Sequence, residues 1–161
     1  MNHDATHDTS MKKEAHYSRL APMVALSFVA MYALMYAMVD RFDNVFNNVN
    51  QVYMAGLMAS AMVPIELALM SSMYPDRKKN VAALTASVVV LVACWLMIRN
   101  QAAVGDRQFL RSMIPHHAAA VLMCHEAPIQ DARIVDLCRR IVASQQDEID
   151  EMKSYLRSAR R

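Results

Sequence analysis

Between Leu20 and Ile98 the chain carries three long apolar blocks, and they limit its fold more than any other feature. Leu20 to Val39 is 20 residues without a charge, Val52 to Met73 is 22 with one acid, Glu66, and Val81 to Ile98 is 18 with none. At about 1.5 Å per helical residue, each block covers the roughly 30 Å hydrocarbon core of a bilayer. Buried helices of a soluble bundle would show a polar stripe every three or four residues, and these blocks show none. The reading is three transmembrane helices over 20–39, 52–73 and 81–98. With only 2 glycines in 161 residues, a Gly-looped nucleotide binder or an all-β sandwich is excluded.

The first block follows Lys12, Lys13 and Arg19 but is too long for a secretory signal, and no small-residue cleavage site precedes Asp40. It is therefore an anchor. The N-terminal tail, residues 1–19, and the second loop, with Arg77, Lys78 and Lys79, hold most of the flanking cations; the first loop holds only Arg41. The excess of basic residues marks the cytoplasmic side, so the N-terminus is expected in the cytoplasm and residues 99–161 outside. In a bacterial cell this is a multi-pass inner-membrane protein with a periplasmic C-terminal domain. Its lipid partner is the bilayer. No basic patch interleaved with aromatics supports a nucleic-acid partner. His3 in the tail suits square-planar Cu(II) at a free amine, but a tail in the reducing cytoplasm reads as solvated.

From Arg99 to Arg161 there are ten cations and eight anions, with apolar residues at helical spacing. Gly105 and Asp106 read as a helix end and the next N-cap. A helix to about Ala127 carries Pro115, which predicts a kink or restart at Ile114. Pro128 and Asp131 mark a turn into a second helix. The fold class is all-α: three transmembrane helices and then an extramembrane two-helix hairpin. Some 55 residues of hairpin cannot bury enough apolar area alone. The hairpin must dock on the membrane helices or pair with a second copy in a homodimer, completing a four-helix bundle.

Methionine is the compositional outlier, 15 of 161. A thioether is either adaptable filler or a soft-metal ligand. In the hairpin, Met113 precedes His116-His117, and Met123-Cys124-His125 follows. On a helix, positions 113, 116, 117, 120 and 124 share a face, and sulfur with imidazole favours Cu(I) over oxygen-seeking cations. A hydrogen-bonded core histidine among packing methionines is the bland alternative. In the spans, Met31, Met35 and Met38 lie on one helix face, and Met54, Met58 and Met62 on a slowly winding ridge. They are read as helix packing, with a cation path as the sharper alternative. Glu66 deep in a span costs about 3 kcal/mol if charged, so it is expected protonated and hydrogen-bonded, with the carbonyl freed by Pro64 near Ser60 as partner. Cys124 and Cys138 are either metal ligands or a disulfide; a turn centred near residue 129 offsets them by about one helical turn.

Phe109-Leu110, Met113, His116-His117, Met123, then Gln145, Glu148-Ile149 and Met152 together resemble the domain of unknown function 305 family over about residues 106–156. That resemblance implies a ferritin-like helical fold, export and copper binding, with Met113, His116, His117, Met123 and Met152 as ligands. This chain differs from longer relatives in having one such hairpin. An enzyme is not expected: there is no nucleophile–base pair, phosphate loop or paired Glu-x-x-His motif. The remaining choice is between a copper-holding protein and a structural or partner-docking one.

Overall fold

A computed structural model describes the backbone of residues 3–158 and the side chains of residues 17–158. The tail histidines His3, His7 and His16 therefore lie outside the described side chains. Five helices follow in order, α1 (His3–Leu34), α2 (Val49–Leu69), α3 (Arg77–Arg99), α4 (Asp106–Glu126) and α5 (Ala132–Ser158), with no strand among the described residues. The helix of α1 begins well before its apolar block, so the expected solvated tail is helical backbone from His3.

Three stretches, Tyr17–Met38, Val49–Leu69 and Arg77–Arg99, are long and apolar enough to cross a membrane. Only 6%, 22% and 6% of their apolar windows is buried inside the chain. Surface of that kind is stable against lipid or another apolar partner and not against water.

The chain divides into two compact units, Met1–Ala33 with Val52–Asn100, and Leu34–Gln51 with Gln101–Arg161. In the first, Gly56 of α2 is the close-approach point: a Cβ there would lie 2.9 Å from Cys94 Sγ of α3. Small residues are what allow transmembrane helices to approach in this way. The Tyr17 hydroxyl donates to Asn80 Oδ1 at 2.7 Å and accepts from the Asp76 amide at 3.1 Å, tying the start of the first span to the second loop. Asp76 also caps α3, accepting from the Lys78 and Lys79 amides. Glu66 accepts from the Tyr74 hydroxyl at 3.3 Å. The hydrogen-bond partner of the Glu66 side chain is thus Tyr74, not the expected carbonyl near Ser60.

In the second unit α4 and α5 form the expected antiparallel hairpin. Its core is Ile114, Ala118, Ile149 and Met152, against which Val39, Phe46, Leu110, Met113 and Leu156 pack. Val39 and Phe46 come from the connection between the first two spans. At the start of α2 the Val49 amide donates to Gln108 Oε1 at 3.2 Å and the Asn50 side chain to Gln101 at 3.0 Å. The hairpin thus gains apolar cover from residues 34–51, a third docking solution beside the membrane helices and a second copy.

Two local expectations are corrected. Pro115 does not interrupt α4: its ring and the neighbouring Ile114 are buried in the hairpin, and packing on both sides holds the turn despite one missing hydrogen bond. Gly105 ends no helix. α3 stops at Arg99, the reversal uses left-handed Gln101 and Ala103, and extended Gly105 precedes Asp106.

Candidate metal centre

His117 organises the site. Ile114, His117, Ala118 and Val121 form the buried stripe of α4, and His117 is only 9% exposed. Its Nδ1 lies 3.0 Å from the Met113 carbonyl one turn back. A carbonyl can only accept, so Nδ1 carries the proton and Nε2 is the nitrogen turned towards α5. There it meets Glu148 Oε2 at 3.0 Å. The other carboxylate oxygen, Oε1, accepts from Ser144 at 2.9 Å. Both His117 and Glu148 are thereby held in orientation by partners on their own helices.

The His117–Glu148 contact sets the register of the hairpin. One turn towards the start of α4 is Met113, and one turn towards the end of α5 is Met152, so the two thioethers occupy the adjacent level. Met152 is buried in the core and Met113 packs against that core. A thioether pair, an imidazole and a carboxylate are thus gathered over about two turns.

The other two predicted ligands lie elsewhere. Adjacent helical residues are about 100° apart, and His116 is exposed. Its ring stands edge-on to His117 with centroids 6.1 Å apart. Met123 is 52% exposed and six residues beyond His117, roughly 9 Å along the axis. The face assumed from 113, 116, 117, 120 and 124 is therefore divided. His117 faces the hairpin core, with Met113 partly buried on the same side, whereas His116 and Met123 share an exposed stripe.

Glu148 was not among the expected ligands. It sits in a run of acids, Asp147, Glu148, Asp150 and Glu151, that reads as a solvated face. Its position one turn before Met152 was the available signal.

Cys124 and Cys138 are bonded across the hairpin with Cα atoms 5.3 Å apart, so neither thiol is free to bind metal. The turn, residues 127–131, is centred on 129 as expected, but the helices do not pair symmetrically about it: Cys124 faces Cys138, a pairing centred on 131, and the expected offset of one helical turn is absent. Asp131 precedes α5 and accepts from the Arg133 side chain and amide. These bonds hold its carboxyl below the usual carboxylate range. The carboxylate is therefore kept in mild acid and lost only as pH falls through that lowered value. Closing a loop of this size stabilises by about 3 kcal/mol through the unfolded chain. The Cys124→Ala/Cys138→Ala variant should lower hairpin stability by about that amount in denaturant titration.

Among the described residues no three His, Cys, Asp or Glu side chains converge on one point. Beside His117 and Glu148, the donors one turn away are thioethers, a set that suits a soft ion better than zinc or a hard cation. Two ligand atoms about 2 Å from one ion at a tetrahedral angle lie a little over 3 Å apart, close to the separation of Nε2 and Oε2. The same separation also serves as a metal-free ion pair.

A family model described as Domain of unknown function (DUF305) matches residues 2–156. The chain belongs to this family. The DUF305 match covers the three long apolar helices as well as the hairpin, further than the 106–156 motif alone. An uncharacterized protein of Acanthamoeba polyphaga mimivirus is 34% identical over 142 residues, covering 86% of this chain and 91% of the viral protein. No solved structure matches the chain.

Proposed function

We propose that this DUF305 protein is a membrane-anchored, non-catalytic copper-binding protein that holds Cu(I) in its C-terminal hairpin. The observation that carries the reading is the orientation of His117: Nδ1 is engaged by the Met113 carbonyl, and Nε2 is turned towards α5 beside Glu148, one turn from the level of Met113 and Met152. Met113, His117 and Met152 would hold the ion. Bound there, Cu(I) would supply a soft acceptor for neutral sulfur and nitrogen donors, and Glu148 would balance its charge.

The topology follows the positive-inside reading. Residues 34–51 pack with the hairpin, and Tyr17 bonds to Asp76 and Asn80 at the start of α3; both pairings suit three crossings, and the flanking cations favour the N-terminus inside. In a bacterium the hairpin would occupy the periplasmic face of the inner membrane. A homodimer would use the exposed stripe Phe109, His116 and Met123, spaced seven residues apart, and complete a ferritin-like four-helix bundle.

A second reading has its own support. Met113 and Met152 pack in the core and His117 pairs with Glu148 without a metal, as a purely structural or partner-docking hairpin would require. Titrating the detergent-purified chain with Cu(I), Ag(I) and Zn(II) separates the two. The copper reading expects Cu(I) and Ag(I) to raise the melting temperature and Zn(II) to do so far less, since only binding to the folded state stabilises it. An unchanged melting temperature with all three supports the structural reading.

A further inference from the structure

The open end of the hairpin carries four basic side chains that metal binding does not use. Arg107 and Arg111 are one turn apart near the start of α4, and Lys153 and Arg157 are one turn apart at the end of α5. Antiparallel pairing brings both pairs to one end, where with Asp43, Phe46 and Leu156 they line a cavity of about 390 Å³. Arg111 and Lys153 are half-buried.

Other cations of the hairpin are neutralised: Arg133 pairs with Asp131, and Arg139 and Arg140 with Asp136. None of the four around the cavity makes an ion pair or side-chain hydrogen bond with a described residue. Asp43 is a single acid against four cations. Like charges around a partly desolvated cavity repel, and a bound anion relieves that repulsion. Three guanidinium forks and an ammonium suit phosphate oxygens. Phe46 and Leu156 add an apolar wall, which suits a phosphate carrying carbon substituents. Asp43 and Phe46 belong to a connection tethered at both ends to membrane-spanning helices, as a lipid-headgroup site would need.

We propose that Arg107, Arg111, Lys153 and Arg157 form a phosphate-recognition site whose ligand is the phosphodiester headgroup of an acidic lipid. Free phosphate shares this chemistry, and the test separates the two sources. The full chain in uncharged detergent is given phosphatidylglycerol, phosphatidylcholine or inorganic phosphate, and bound ligand is read by native mass spectrometry. Phosphatidylglycerol should be retained in preference to phosphatidylcholine, and Arg111→Gln/Lys153→Gln should weaken it about tenfold. Arg139→Gln should leave retention unchanged. If inorganic phosphate competes at equal concentration, the site stands as a general phosphate site. Retention in the unaltered chain should also fall as salt rises, a readout independent of how the variants fold. Equal retention of the two lipids with no response to phosphate, or undiminished binding by the double variant, would overturn the proposal.

Discussion

Replacing His117 with alanine should weaken Cu(I) binding by about a hundredfold or more, whereas His116→Ala should change it far less. Loss of a partner that merely orients a ligand already costs 10- to 100-fold in metal affinity, so loss of the ligand itself should cost no less. The asymmetry between neighbouring histidines is the informative part. His117 is buried, with its ring aimed at α5, and His116 is exposed on another face. Competition against a Cu(I) chelator of known affinity measures both variants. Equal losses would mean that the two imidazoles act together, on a face the hairpin does not present within one chain.

The largest stability effect is expected at Ile149. Its side chain is fully buried between the helices with Ile114 and Ala118. Truncation of such a residue to alanine removes its transfer free energy and leaves a cavity, about 2 to 5 kcal/mol together. In a two-helix unit that is a large share of the total. Denaturant titration of Ile149→Ala in detergent, followed by far-UV dichroism, should show early loss of hairpin helix. Cu(I) at about 100 times its Kd should restore roughly 2.7 kcal/mol if Met152, in the same core, is a ligand. Stability equal to that of the unaltered chain would place the hairpin core elsewhere.

The three long apolar helices were legible because hydropathy over some twenty residues needs no tertiary information, and the hairpin because its apolar spacing and turn residues agree. The division of the candidate ligands was not. His117 belongs both to the stripe 113, 116, 117, 120, 124 and to the stripe 114, 117, 118, 121, and periodicity alone cannot choose between stripes about one residue apart. Burial of Ile114 and Ala118 against Ile149 makes the choice. Glu148 was overlooked because, in a run of acids, its spacing one turn before Met152 stands out only once the opposite helix is placed. The docking of residues 34–51 was hidden for a related reason: Val39 and Phe46 sit in a short connection without periodicity, so their apolar contacts depend on tertiary structure. The cysteine register was not legible because the turn fixes where the helices end and not which residues face each other across them.

The proposed site rests on the His117 imidazole and the thioethers one turn away holding the same ion. X-ray absorption at the copper edge of the Cu(I)-loaded full chain measures that most directly. The expected shell contains sulfur and imidazole nitrogen; His117→Ala should remove the imidazole scattering, and Met113→Leu/Met152→Leu should reduce the sulfur. A shell unchanged by both variants would contradict the assignment.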